Sequence, residues 1–202
     1  TGSNTSNGTC GGASGQAWFH GATGKRNASL NFDGTDDYVD MNDVAALDIK
    51  DTDDMTITGW FNRDLFGSTH TVVAKRNSVG AADPGYLLYI LSTDDKMYLE
   101  LSDGTAGGGD EYSLQSSSSF GSSGWHHFAV VWDQDSAANS EIYIDGVDDN
   151  ATDTGTIGNV GDTSNAVDFR IGSESDSGNL FDGRLDEIRV YNYVLTTDQI
   201  KR

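Results

Sequence analysis

Apolar and polar residues alternate along this chain in short runs, and glycine and aspartate separate the runs. Met55-Thr56-Ile57-Thr58-Gly59-Trp60-Phe61 puts Met55, Ile57 and Phe61 on one side and Thr56, Thr58 and Trp60 on the other. That period of two predicts a half-buried strand. Tyr86 to Leu91 is apolar on both faces, which predicts a central strand covered on both sides or a strand with one face along a ligand groove. Trp125 to Trp132 is the strongest run. It is expected to pair with Glu141 to Ile144, which leads into Asp145-Gly146, a favoured hairpin turn. Trp18 to His20, Leu30 to Phe32, Tyr38 to Met41, Val72 to Lys75, Met97 to Leu101, Phe169 to Gly172 and Leu185 to Tyr191 supply further strands. A short helical turn is expected over Thr196 to Lys201. Many short strands and almost no helix signals mean an all-β sandwich or barrel.

Composition bounds this picture. The chain has 202 residues, enough for one β-sandwich with a full core and short for two, so one domain over 1–202 is expected, with a polar N-terminal arm over about residues 1–15. Twelve basic residues stand against 32 acidic ones, for a net charge of -20. A polyphosphate backbone or an anionic membrane surface is repelled by such a chain, so nucleic acid and membrane insertion are not expected. The acids are 27 Asp and 5 Glu, and Asp belongs in turns and oxygen-rich cation sites. Cys10 is the only cysteine, so no intramolecular disulfide forms. The sequence has no initiator Met or signal peptide and reads as a processed or excised segment of a secreted or cell-surface protein. Four N-x-S/T sequons, at Asn4, Asn7, Asn27 and Asn150, permit glycosylation.

The last strand carries the chemical clue. If alternation holds through Leu185 to Tyr191, Asp186 shares the face of Ile188 and Val190 and enters the core. A carboxylate there loses hydration worth several kcal/mol, so it must be paired, hydrogen-bonded or bound to a cation. Arg170 and Arg184 are the candidate ion-pair partners.

The order of motifs is more specific than the pattern. Ala28 to Asp40, Met55 to Phe61, Gly124 to Asp133, Ile142-Tyr-Ile-Asp-Gly146 and Phe181 to Asn192 resemble the laminin-G-like jelly rolls of the concanavalin A-like lectin/glucanase superfamily, over roughly Gly8 to Arg202. The resemblance implies a two-sheet antiparallel jelly-roll β-sandwich. It also implies a Ca2+ ion bridging the N-terminal strands to an aspartate that matches Asp186. The acidic turn after Leu30 to Phe32 offers Asp33 and Asp36 as partner ligands, with Gly34 giving the tight backbone; calcium takes oxygens from carboxylates and carbonyls alike. Asp51, Asp53 and Asp54 lack EF-hand spacing and read as a solvated turn.

Catalysis finds little support. Two carboxyl groups must face one cleft in a glycosidase, and the superfamily's glucanases carry theirs as Glu-x-Asp-x-(x)-Glu, which Glu100, Glu111, Glu141, Glu174 and Glu187 do not reproduce. His126 and His127 are adjacent in a strand, so they point to opposite faces and cannot jointly hold a metal. Trp60, Trp125 and Trp132 are expected in the core, although an aromatic ring on a concave face could stack on a sugar. Two functions remain: a calcium-stabilised, non-catalytic module that binds a glycan or a cell-surface protein, with contacts between Trp60 and Lys75 and between Tyr86 and Tyr98; or a structural subunit of an extracellular filament or sheath. The second would self-assemble through calcium or through strand addition by the N-terminal arm.

Overall fold

The computed structural model describes residues 9–11, 18–19, 24–78, 83–105, 111–151 and 153–201. Among them the alternating runs pair into two antiparallel sheets. One sheet holds β1 (Thr9–Gly11), β4 (Tyr38–Asp40), β13 (Arg170–Ile171), β6 (His70–Lys75), β7 (Pro84–Ile90), β8 (Lys96–Asp103) and β9 (Glu111–Ser119), in that spatial order. The other runs β12 (Val147–Asp148), β11 (Glu141–Ile144), β10 (His126–Trp132), β5 (Met55–Arg63), β14 (Asp182–Tyr191), β3 (Ser29–Asp33) and β2 (Trp18–Phe19). The expected jelly-roll sandwich is what forms. One short helix, α1 (Thr197–Ile200), follows the last strand and is capped by Thr196, whose side chain accepts the Gln199 N–H.

Inward residues of both sheets merge into one core that includes Met55, Ile57, Phe61, Leu88, Leu99, Phe128, Val130 and Trp132. Met55 lies opposite Trp132 and Ile57 opposite Val130, so the alternation read from β5 and β10 is the alternation that packs. With no disulfide available, buried ion pairs tie the sheets at their ends. The Arg63 side chain is fully buried with Asp95 at 2.8 Å, and Lys75 is held between Asp43 at 3.0 Å and Asp48 at 2.9 Å.

β9 is a strand that the hydrophobic pattern did not announce. Its inward positions run Tyr112, Leu114 and then Ser116, so the apolar signal fades halfway along. Ser116 is nonetheless fully buried, because its hydroxyl accepts the Met97 N–H and donates to the Ser118 carbonyl. At the other edge, β1 pairs with β4 through Thr9 opposite Asp40. The strand of the polar arm therefore joins its own chain's sheet. The arm before it, on which the strand-addition expectation rested, lies outside the described residues.

Candidate functional site

A break in strand alternation shapes the site. β14 follows β5 in register from Gly183 opposite Arg63 to Asp186 opposite Trp60, then shifts, resuming with Arg189 opposite Thr58. Glu187 and Ile188 thus stand against Gly59 alone, and Glu187 takes a left-handed backbone (φ 53°) to allow it. This is a β-bulge, and it changes the parity of the strand. Directly opposed residues share a face, so Asp186 lies on Trp60's outer face, while Ile188 and Val190 pack toward the core. The expectation that Asp186 enters the core beside them is corrected here. Gly59 leaves the room the bulge needs: a methyl built on it would lie 2.5 Å from Ile188 Cδ1 and 2.9 Å from the Phe128 ring.

Asp186 is buried all the same, at 7% exposure. Its partner is neither Arg170, which pairs with Asp40, nor Arg184, which faces Asp64. The Arg26 backbone N–H donates to Asp186 Oδ2 at 2.7 Å. The carboxylate thereby pins the segment before β3 against the outer face of β14.

Around this anchor the outer face forms a cleft of about 460 Å3. Its floor is Thr58, Gly59 and Trp60 of β5, with His127 of β10 on one side and Glu187 and Arg189 of β14 on the other. Arg26 and the Asp145-Gly146 turn contribute further walls, and Ile200 and Lys201 close one end. The C-terminal segment is held there by Thr56, whose hydroxyl donates to the Tyr193 carbonyl and accepts the Leu195 N–H. Leu195 and Ile200 cover Ala129, Val131 and Tyr143, and the cleft lies beside this covered part of the face.

Within the cleft the Trp60 ring is half-buried, with the His127 imidazole edge-on at 5.1 Å and the Lys25 ammonium 4.4 Å from its centroid. Burial lowers the pKa of His127, which keeps the imidazole neutral near pH 7 and able to donate and accept at once. The Asp145 carboxylate is already engaged: Oδ1 accepts the His127 N–H and Oδ2 lies 2.9 Å from His126 Nδ1. His126 and His127 do take opposite faces, His126 packing on Phe61 and Phe120. Trp132 is in the core as expected. Trp60 and Trp125 are not; both are half-buried, and Trp60 belongs to the cleft.

A second set of polar residues gathers at the acidic turn. Asp33, Asp36 and Asp37 each offer a carboxylate oxygen within 4.8 Å of the others. Asp186 is not among them. The register sets Asp182 opposite Asp33, and four residues along an extended strand put Asp186 roughly 13 Å further on. Asp182 takes the place expected of Asp186: a methyl built on Gly34 (φ +70°) would lie 3.0 Å from Asp182 Oδ2. Asp37 is 2% exposed; its Oδ2 accepts the Asp33 N–H at 3.2 Å, and its Oδ1 has no hydrogen-bond partner. Burial raises the pKa of both Asp37 and Asp182, and neighbouring carboxylates add to it. Asp37 and Asp182 were legible only as members of an acidic run and of a last strand. Of the third acidic group, Asp53 accepts the Lys50 N–H and Asp54 the Gln134 N–H.

A family model described as the concanavalin A-like lectin/glucanases superfamily matches residues 33–201. The chain belongs to this superfamily. No curated protein matches it in sequence. Among solved structures, domain 4 of AbnA, a GH43 extracellular arabinanase from Geobacillus stearothermophilus solved with arabinotriose, is 20% identical, with a TM-score of 0.66 over 96% of this chain and 86% of that one. The binding domain of Paraclostridial Mosquitocidal Protein 1 is 14% identical, with a TM-score of 0.65 over 91% of this chain. Our chain spans 46% of that one. The CBM40 of the Ruminococcus gnavus IT-sialidase, bound to alpha2,3 sialyllactose, is 19% identical, with a TM-score of 0.52 over 74% of this chain and 82% of that one. At these identities the likeness is one of fold, and members of a superfamily with one fold differ in function.

Two of the five glutamates meet on the other sheet. Arg76, fully buried, reaches Glu111 at 3.1 Å and Glu100 at 3.8 Å. Hydrogen bonding with Glu100 and the Arg76 guanidinium holds Glu111 below the usual carboxylate range. One guanidinium shared between two carboxylates reads as a structural ion pair. Among the described residues no helix is long and apolar enough to cross a membrane.

Proposed function

We propose that this chain is a glycan-binding module and that the cleft over Trp60 receives the sugar. The observation that carries the reading is a half-buried tryptophan on the outer face of a sheet, set among a neutral imidazole, carboxylates and cations. The apolar C–H face of a pyranose or furanose stacks on such a ring, and its hydroxyls need donors and acceptors at the rim. A volume of about 460 Å3 falls in the range of roughly 300–1,000 Å3 typical of ligand pockets. The arabinotriose and sialyllactose complexes of the structural neighbours add support from the same fold.

The Tyr89–Tyr98 stack on the other sheet, with centroids 5.5 Å apart and planes at 11°, is a weaker candidate. Tyr89 is only 5% exposed, and the Tyr98 hydroxyl donates to Asp94. A glycan array followed by affinity measurements on wild type and Trp60→Ala tests the reading. At least one oligosaccharide should bind the wild type and lose most of its affinity in the variant; undiminished binding by Trp60→Ala would move the site elsewhere.

The acidic turn supports a separate, structural part of the proposal. Ca2+ held by Asp33, Asp36 and Asp37, with Asp182 beside them, would satisfy the unpartnered Asp37 oxygen and join β3 to the last strand. Secretion fits such a module, and protein partners at the same face would compete with the sugar.

A further inference from the structure

We infer that the sugar taken by the Trp60 cleft is acidic, with a carboxylate bound by Arg26 and Lys201; this rests on the glycan reading above. In a chain with 12 basic and 32 acidic residues, five described cations nevertheless form no ion pair, Lys25, Arg26, Lys50, Lys96 and Lys201, and three of these five stand at the cleft. Arg63, Lys75, Arg76 and Arg170 are all committed to buried or half-buried ion pairs.

Around the cleft the balance is reversed. Each of its carboxylates is already engaged: Glu187 pairs with Arg189, Asp145 is held by His126 and the His127 N–H, and Asp186 accepts the Arg26 N–H. The side chains of Lys25, Arg26 and Lys201, by contrast, form no ion pair among the described residues, although Arg26 and Lys201 line the cleft and Lys25 lies over its tryptophan.

Gathering unpaired cations about one ring is unfavourable unless an anion joins them, and a chain this acidic repels polyanions from the rest of its surface. A single carboxylate on a sugar meets both conditions. It is small enough to enter without bringing a charged polymer, it suits the planar guanidinium of Arg26, and it leaves the pyranose face free for Trp60. Lys25 then follows the carboxylate as the sugar displaces its ammonium from the ring.

Isothermal titration of the whole chain with two matched sets of probes tests this: 3′-sialyllactose against lactose, and galacturonic acid against galactose. The first set presents a sialic acid and the second a uronic acid, so the arms separate the two sources of a sugar carboxylate. We expect at least one acidic probe to bind about ten-fold more tightly than its neutral counterpart. The preference should shrink in roughly 0.5 M salt. It should also collapse in the Arg26→Gln/Lys201→Gln double variant, whose side chains are exposed and whose folding should be unaffected. Neutral probes binding as well as acidic ones would overturn the inference and leave the glycan reading standing. An acidic preference that survives the double variant would overturn the assignment to these two residues. If the array and all four probes fail to bind, the glycan reading itself falls.

Discussion

His70 should act as a built-in acid sensor of stability. Its side chain lies in the core, 1% exposed, with its ring 5.7 Å from that of Phe181, and its Nδ1 has no hydrogen-bond partner. Burial chiefly, and the Arg63 guanidinium after it, lower its pKa from 6.5 to about 4, against a smaller opposing pull from Asp95. The folded state therefore favours the neutral ring. The unfolded chain takes up a proton below pH 6.5, whereas the folded one resists until about pH 4. Stability from this group is full above pH 6.5 and falls as the pH drops toward 4. The loss works out at about 2 kcal/mol by pH 5 and about 3 kcal/mol by pH 4. Other groups titrate over the same window, so the informative quantity is a difference. Urea unfolding of wild type and His70→Leu from pH 7.5 to 4 should show the wild type losing that amount relative to the variant, after subtraction of the constant packing change. A difference that stays flat with pH would mean that His70 takes up its proton freely in the fold, and the burial argument would fail.

Three further outcomes follow from the same structure. Gly59→Ala should destabilise the fold by about 1–3 kcal/mol, since the new methyl meets Ile188 and Phe128; chemical unfolding should show partial recovery in Gly59→Ala/Ile188→Val. Asp95→Ala strands the buried Arg63 guanidinium and should lower stability by about 3 kcal/mol, read as a shift in the urea midpoint with an unchanged slope. Millimolar Ca2+ should raise the melting temperature at pH 7 and less at pH 4. The raised carboxyl pKa values of Asp37 and Asp182 mean that protons already relieve the repulsion in acid. Asp37→Ala should abolish the response, and equal melting temperatures in Ca2+ and in chelator would remove the ion from the account.

The fold was legible in the sequence because β5 alternates cleanly, β7 and β10 are continuous apolar runs of strand length, and Asp-Gly marks the β11–β12 turn. β9 was not, because hydroxyls take over its inward positions in Ser116 and its outward ones beyond. The site was legible only in part, and the reason is a single residue's worth of register. Period two carried past Asp186 puts that carboxylate in the core, while the bulge at Glu187 and Ile188 puts it on the outer face beside Trp60. No local composition announces the bulge. Gly59, the residue opposite it, was the available signal: a glycine inside an otherwise clean strand marks a bulge or a close approach. The same register exchanges Asp186 for Asp182 at the acidic turn. The expected cation staple is therefore two separate features, an acidic turn at one end of β14 and a cleft at its middle.

The most direct test of the cleft is a 1H–15N NMR titration that follows the four tryptophan indole N–H groups, assigned by single Trp→Phe variants, as a binding oligosaccharide is added. The Trp60 indole and the backbone amides of His127, Gly146 and Glu187 should shift together and saturate at one affinity, with Trp132 unmoved in the core. Shifts confined to Tyr89, Tyr98 and their neighbours on the other sheet would contradict the assignment.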